Sequence, residues 1–302
     1  MFSKFKIDPK VSNAINEGKP VVALESTLIS HGLPYPENIK VANDSIKAVE
    51  ESGSVAATIG IINGEIIIGL NDEEINILAT SKNIDKVSLH NISLSIYEKK
   101  HAATTVATTI SIASKVGINF FATGGIGGVH LNAENTNDVS ADLYSLSEHS
   151  NYVICSGAKS ILDLNKTYEL LETLGITRIG YKTNYMPGFW FSETKHQVDN
   201  SFESISDISN FLKLNSKLNH KKSILIFNKV PEINAISEDK INEWINRALL
   251  KAEKNKINGK ELTPFLIKEI NNSSNNKTLK ANVSLIINNA DLAGKIAKNY
   301  YS

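Results

Sequence analysis

The sequence predicts an α/β protein: a mixed, mainly parallel sheet covered by helices on both faces, an α/β/α sandwich. Three observations carry this expectation. Short β-branched runs recur along the chain, stretches of helical period separate them, and the runs are apolar nearly throughout rather than alternating, as in strands buried on both faces. The runs are Val21–Glu25, Val55–Ile62, Glu65–Ile68, Lys86–Leu89, Phe120–Thr123, Tyr152–Cys155, Arg178–Tyr181 and Ile224–Phe227.

Helical periodicity predicts helices over Pro36–Ser52, Asn71–Ala79, Thr104–Val116, Ala141–Glu148 and Ser160–Leu174. Asn63-Gly64 between two apolar runs is a hairpin signal and adds one antiparallel excursion. Ser192–Lys222 is polar, rich in Ser and Asn and weakly periodic, with a short helix expected near Ile205–Leu214. A second polar loop, Asn271–Lys277, joins helices expected around Leu262–Ile270 and Ala281–Asn299. No repeat or shift of composition marks a boundary, so residues 1–302 are read as one domain, with 192–222 a polar excursion within it.

Apolar residues at 41% and charged residues at 21% describe an ordinary soluble globular protein. Lys plus Arg and Asp plus Glu are 32 each, so net charge gives no reason to expect nucleic acid as a partner. The only arginines are Arg178 and Arg247, so an anion site must rely on lysine, hydroxyls or backbone amides. The lone Cys155 sits in an apolar run and reads as a packing residue in a reducing compartment. No apolar run approaches a membrane span, and the first residues lack the apolar core of a signal peptide; a cytoplasmic protein is expected.

In α/β sheets, ligands gather at the carboxyl ends of strands. Lys159 follows such a run, in Tyr152-Val153-Ile154-Cys155-Ser156-Gly157-Ala158-Lys159-Ser160. An amine in a strand-end cleft is a nucleophile when desolvation favours its neutral form; the alternative is a surface lysine in a helix's first turn. Gly157-Ala158-Lys159-Ser160 is no nucleotide P-loop, because Ile154 stands where the earlier glycine belongs. Glu25 closes an apolar strand, where desolvation would suit it to general acid work, or it is a capping or ion-paired residue.

Thr123-Gly124-Gly125-Ile126-Gly127-Gly128-Val129-His130 either points amides at a phosphate or makes a tight turn. Its spacing is not the dinucleotide fingerprint. Asp138-Val139-Ser140-Ala141-Asp142 offers hard oxygen ligands suited to Mg²⁺ or Mn²⁺, or an N-cap for the helix beginning at Ala141. Ala102–Thr109 reads as a small-residue helix start able to hold an anion or to permit close packing. Lys86, His31 and His130 have ordinary surface or structural readings when taken singly, and no paired Cys/His metal spacing occurs.

Taken together and in order, these segments resemble the pseudouridine-5′-phosphate glycosidase family. The resemblance rests on Ala23-Leu24-Glu25-Ser26-Thr27 with Ser30-His31-Gly32, Ala103-Thr104-Thr105-Val106-Ala107, and Phe121-Ala122-Thr123 through His130. It continues in Asp138-x-Ser140-Ala141-Asp142, Ser156–Asp163, Gly180-Tyr181-x-Thr183, Gly259-Lys260-Glu261-x-Thr263-Pro264-Phe265-Leu266 and Asn288-Asn289-Ala290. It implies reversible cleavage of pseudouridine 5′-phosphate to ribose 5-phosphate and uracil. Lys159 would be the covalent nucleophile and Glu25 the proton donor. Asp138 would hold Mn²⁺, one per subunit and largely through water, with Mg²⁺ the alternative. Lys86, Val106, Ser140, Ala141 and Asp142 would contact substrate, with Thr123, His130 and Asn282 further site candidates. A homotrimer is implied as well.

Three segments depart from the family pattern: Leu89-His90-Asn91, Asn228-Lys229-Val230-Pro231, and Pro187-Gly188-Phe189-Trp190, the last in place of Pro-Ala-Phe-Phe. The chemistry explains why a lysine is wanted. A carbon leaving group has no lone pair to protonate, so the two-carboxylate device of ordinary glycosidases fails. An amine can open the ribose and form an imine at C1′, an electron sink while C5 takes a proton. Two other readings compete. A Schiff-base aldolase would also use Lys159 but needs no metal, and a phosphometabolite sensor would bind without exchange and needs none of Glu25, Asp138 or Lys159.

Overall fold

The structure, a computed structural model, describes residues 5–257 and 262–302, apart from the side chains of residues 263 and 264. The Gly259-Lys260-Glu261 part of the family motif lies outside the described residues. The strands are β1 (Phe5–Ile7), β2 (Val21–Leu24), β3 (Val55–Ile62), β4 (Glu65–Ile68), β5 (Asp85–Val87), β6 (Ala102–Thr104), β7 (Phe120–Ala122), β8 (Tyr152–Cys155), β9 (Thr177–Tyr181), β10 (Asn200–Phe202) and β11 (Ile224–Phe227). They form one sheet in the order β1-β4-β3-β2-β7-β8-β11-β9-β10, with β6 pairing β3 and β5 off that path. The pairs from β3 through β10 along this order are parallel; β3–β4 and β3–β6 are antiparallel.

The β3–β4 hairpin turns at Asn63-Gly64 with φ of 51° and 76°, the left-handed pair the dipeptide signalled. A Cβ at Gly64 would lie 2.5 Å from the Ile96 carbonyl oxygen, so the turn admits glycine alone.

The helices are α1 (Pro9–Asn16), α2 (Glu37–Glu51), α3 (Asp72–Thr80), α4 (Ile92–Tyr97), α5 (Val106–Lys115), α6 (Ala133–Thr136), α7 (Ala141–Glu148), α8 (Leu164–Thr173), α9 (Ile205–Lys217), α10 (Glu238–Lys254), α11 (Leu262–Ser273) and α12 (Lys277–Tyr301). They cover both faces. Alternate residues of each central strand enter opposite cores: Ala23, Phe121, Val153 and Leu225 pack with α5, α7 and α8, while Val22, Phe120, Tyr152 and Ile224 pack with α2, α9 and α12. Buried side chains such as Leu171 and Leu212, one on each side, each contribute about 2 kcal/mol by leaving water.

Several expected bounds shift. Ser160 does not open a helix, because a loop runs from Ser156 to Asp163 before α8 begins at Leu164. The small-residue run Ala102–Thr109 divides into β6 and α5, with Thr105 as N-cap between them, its side chain accepting from the Thr108 N–H. The polar stretch Ser192–Lys222 carries β10 and α9, and α9 extends three residues past Leu214. The loop expected at Asn271–Lys277 shrinks, since α11 runs to Ser273 and α12 starts at Lys277.

One feature of strand order positions the site. From β2 the chain moves to β3 on one side; β7 lies on the other side of β2 and leads on to β8. Strand order therefore reverses between β2 and β7, and a crevice opens at such a switch point beyond the strands' carboxyl ends.

Candidate active site

Leu24, Ala122 and Ile154 are in register at the carboxyl ends of β2, β7 and β8. Glu25 and Thr123, the next residues on adjacent strands, therefore fall side by side. The Thr123 hydroxyl donates a 2.5 Å hydrogen bond to Glu25 Oε1. Both line a cavity of about 130 Å³ together with Lys86, Lys159, Asn282 and a largely apolar wall that includes Leu28, Phe189 and Ile286. The strand-end position expected of Glu25, Thr123 and Lys159 is thus what brings them together.

Glu25 is buried, at 8% exposure. Burial pushes its carboxyl above the usual carboxylate range, against the opposing pull of the Lys159 ammonium and the Thr123 hydrogen bond; Asp142 raises it and Lys86 lowers it. A carboxyl raised in this way holds its proton to higher pH than a free one, which suits a general acid. Burial likewise lowers the Lys86 amine, with Lys159 acting in the same direction and Asp142 and Glu25 against it. As a residue Lys86 is exposed, because the cavity it lines opens to solvent, so its neighbours crowd the amine more than the residue's exposed area suggests.

Lys159 is half-buried and is held by its backbone. Its N–H donates to the Ile126 carbonyl at 3.1 Å, its own carbonyl accepts from Leu162 N–H at 3.0 Å, and Ala158 pairs with Ile126. Gly157 precedes this segment with φ of +89°, and a Cβ there would strike the Pro187 carbonyl oxygen. The turn that delivers Lys159 to the cavity therefore needs glycine. Among the described residues the Lys159 amine has no hydrogen-bond or ion-pair partner.

The glycine loop makes a tight turn, one of the two alternatives the sequence offered, and its Gly124 and Gly125 line the cavity. Three of its amides are taken within the protein: Ile126 donates to Gly157 O, Gly127 to Asp142 Oδ2 at 2.7 Å, and Val129 to Thr167 Oγ1. Its glycines are required for space, since a Cβ at Gly125 would meet Phe189 at 2.6 Å and one at Gly127 would meet Ser140. The loop is a packing junction between the strand ends, the Phe189 segment and α7.

Asp142 completes that junction. Its Oδ1 accepts from the Ala107 N–H at 2.9 Å in the first turn of α5, and its Oδ2 accepts from Gly127. With each oxygen accepting a backbone amide, Asp142 ties the first turn of α5 to the glycine loop. Ser140 is the N-cap of α7, its hydroxyl accepting from Asp142 N–H, as the capping alternative expected. Val106 is buried at the start of α5, and Ala141 opens α7. Val106, Ser140, Ala141, Asp142, His130 and Asp138 are not part of the cavity wall.

His130 and Asp138 face each other across the loop before α7. His130 N–H donates to the Asp138 carbonyl at 3.0 Å, and their side chains approach to 3.9 Å. Burial lowers the His130 imidazole, Asp138 opposes this, and Lys159 and Lys86 add to the lowering, so this pair shares the field of the cavity's lysines. Among the described residues no group of three or more His, Cys, Asp or Glu could enclose a metal ion. One exposed carboxylate fits a hydrated divalent cation held mostly through water.

Two residues in the site went unread. Trp190 stands in the cavity wall and donates from Nε1 to Asn282 Oδ1 at 2.6 Å. Asn289, fully buried, donates to the Thr123 carbonyl at 2.8 Å and to Ser156 Oγ at 3.1 Å, and accepts from Asn228 Nδ2, so one amide ties the ends of β7, β8 and β11. The available signal was the i, i+7 spacing of Asn282 and Asn289, which sets two amides on one face of the helix.

A buried carboxyl with raised proton affinity lines one cavity with two lysines at the sheet's switch point, an arrangement suited to acid–base chemistry on a small molecule. The comparisons with known proteins name the class more closely. The model of the Indigoidine synthase A like protein family matches residues 10–299. A pseudouridine-5′-phosphate glycosidase of Brachyspira hyodysenteriae is 45% identical over 97% of this chain and 96% of its own. One from Staphylococcus aureus is 46% identical over 95% and 94%. Among solved structures, a prealnumycin C-glycosynthase in complex with ribulose 5-phosphate superposes with a TM-score of 0.92 at 33% identity, covering 100% of this chain and 98% of that one. The chain belongs to the Indigoidine synthase A like family, alongside the pseudouridine-5′-phosphate glycosidases.

Proposed function

We propose that the protein is a pseudouridine-5′-phosphate glycosidase, reversibly cleaving the bond between sugar C1′ and uracil C5 to give ribose 5-phosphate and uracil. The observation that carries this reading is the placing of Lys159 and Glu25 on one cavity at the switch point of the sheet.

In the cleavage direction the Lys159 amine adds to C1′ and the ring oxygen leaves, taking a proton. Uracil C5 then accepts a proton from Glu25, and the electrons of the C1′–C5 bond stay with uracil. The nitrogen lone pair closes to an imine at C1′. Water hydrolyses the imine, releasing ribose 5-phosphate and the free amine. Glu25 suits its part because burial raises its hold on a proton. Lys86 offers a cation for the phosphorylated substrate. Arginine has no share in this, since Arg178 is tied to Asp199 and Glu172 and Arg247 pairs with Glu243.

A divalent cation, Mn²⁺ or Mg²⁺, held through water by Asp138 with His130 beside it, would supply positive charge on that side of the site. Trimeric assembly and a cytoplasmic location belong to the same reading. Among the described residues no helix is long and apolar enough to cross a membrane.

The test is to mix the protein with Mn²⁺, uracil and ribose 5-phosphate and follow pseudouridine 5′-phosphate by mass. Product in the wild type and none with Lys159→Ala supports the reading; no product from the folded, metal-supplied wild type overturns it.

A further inference from the structure

Trp190 is where this chain departs from the Pro-Ala-Phe-Phe pattern, and the structure gives its indole a partner a phenyl ring cannot have. The residue is buried, at 2% exposure, and its ring packs against Phe189 with centroids 5.5 Å apart. Its backbone is fixed as well, the carbonyl accepting from Ile236 N–H at 2.9 Å.

An indole N–H can only donate. The Asn282 atom lying 2.6 Å from it must therefore be the carbonyl oxygen. Rotating the carboxamide by half a turn would set its NH₂ against the indole N–H, donor against donor. The orientation of Asn282 is thus fixed, and Nδ2 is the group left to face a ligand. Among the described residues Nδ2 has no hydrogen-bond partner in the protein, and both side chains line the cavity with Lys159 and Glu25.

Resting on the glycosidase reading for the identity of the ligand, we propose that Trp190 is a positioning residue. It locks the Asn282 amide so that this wall presents a donor, reads a carbonyl oxygen of the bound pyrimidine, and rejects one with an amino group at that position. A base presenting an amino group there would leave two donors facing each other without an acceptor, a mismatch that polar sites reject strongly.

The test is binding of radiolabelled uracil and cytosine, by equilibrium dialysis, to the wild type, Trp190→Phe, Asn282→Ala and the double variant. The wild type should prefer uracil. Trp190→Phe should weaken uracil by about tenfold, one hydrogen bond's worth, and narrow its preference over cytosine. In the Asn282→Ala background the same change should cost nothing further. Unchanged uracil affinity and preference in Trp190→Phe, or the same loss in both backgrounds, would overturn the proposal.

A second measurement does not depend on Trp190→Phe folding. The chain has two tryptophans, so an amide-correlation NMR spectrum shows two indole signals. One should lie downfield, exchange slowly and move upfield in Asn282→Ala; no movement would contradict the bond. Because binding is read directly, absence of product would sink the glycosidase reading alone, whereas a wild type that binds uracil no better than cytosine would sink the positioning role.

Discussion

Glu25, 8% exposed at the end of β2, and Asp138, with 55% of its side chain exposed on the loop before α7, are carboxyls of one site in opposite surroundings. Around Glu25 burial pushes the carboxyl toward its protonated form, against the Thr123 hydroxyl, its one hydrogen-bond partner among the described residues. Asp138 stands in solvent beside a histidine, a setting for a hydrated cation. Asp142 makes a third case, with each oxygen accepting from a backbone amide. One functional group thus stands in three settings, and on the proposed reading burial with hydrogen-bond partners suits them to carrying a proton, holding a cation and tying the fold.

The comparison breaks most visibly at Glu25. Glu25→Gln should lower turnover by roughly 10²–10⁴-fold, the span of a general acid's contribution. The same change should raise the melting temperature at pH 8 and leave it nearly unchanged at pH 4. The sign follows from linkage. A carboxyl raised on folding contributes stability below its unfolded value, and that stability is lost as pH rises through the folded value. Glutamine cannot lose that proton, so the variant's stability should not fall over that window. A parallel fall in both proteins would show that Glu25 is not raised.

Asp142→Asn comes next. One of the two amides it ties would face an NH₂ group, and the protein should lose about 2 kcal/mol of stability, read from denaturant unfolding. An unchanged midpoint would show that the tie between α5 and the glycine loop is dispensable. Lys86→Met should raise KM for ribose 5-phosphate by roughly tenfold through loss of one charge-assisted contact. Because Lys86 holds Glu25 down, the variant should also move the alkaline limb of kcat/KM to higher pH. The smallest effect belongs to Asp138→Asn, which should leave stability within about 0.5 kcal/mol as exposed substitutions do. It should raise the Mn²⁺ concentration needed for half-maximal activity several-fold, measured by titrating metal into chelated enzyme.

The same contrast explains what could be read from the chain. β2, β3, β4, β7, β8 and β11 were legible because they are buried on both faces and apolar throughout, and their ends carry Glu25, Thr123 and Lys159. β1, β6 and β10 also have three residues each, but Lys6, Thr104 and the pair Asn200-Ser201 deprive them of the wholly apolar run that marks β7. α10 went unread although Ile241, Ile245, Ala248 and Ala252 mark a buried helical stripe. The glycine loop stayed ambiguous because glycine admits close approach by any neighbour, and the structure shows Phe189, Ser140 and Thr167 packed against it. Trp190 and Asn282 lie 92 positions apart, and nothing local to either signals the other; only the folded sheet and α12 bring them together.

The central claim is that Lys159 forms a covalent imine with the sugar, and trapping tests it most directly. The protein would be incubated with ribose 5-phosphate and borohydride, then weighed intact and mapped by peptide mass. The account predicts a reduced sugar adduct on Lys159 in the wild type and none in Lys159→Ala, with both proteins melting alike. An adduct on another residue, or a Lys159→Ala protein that turns over undiminished, would contradict it.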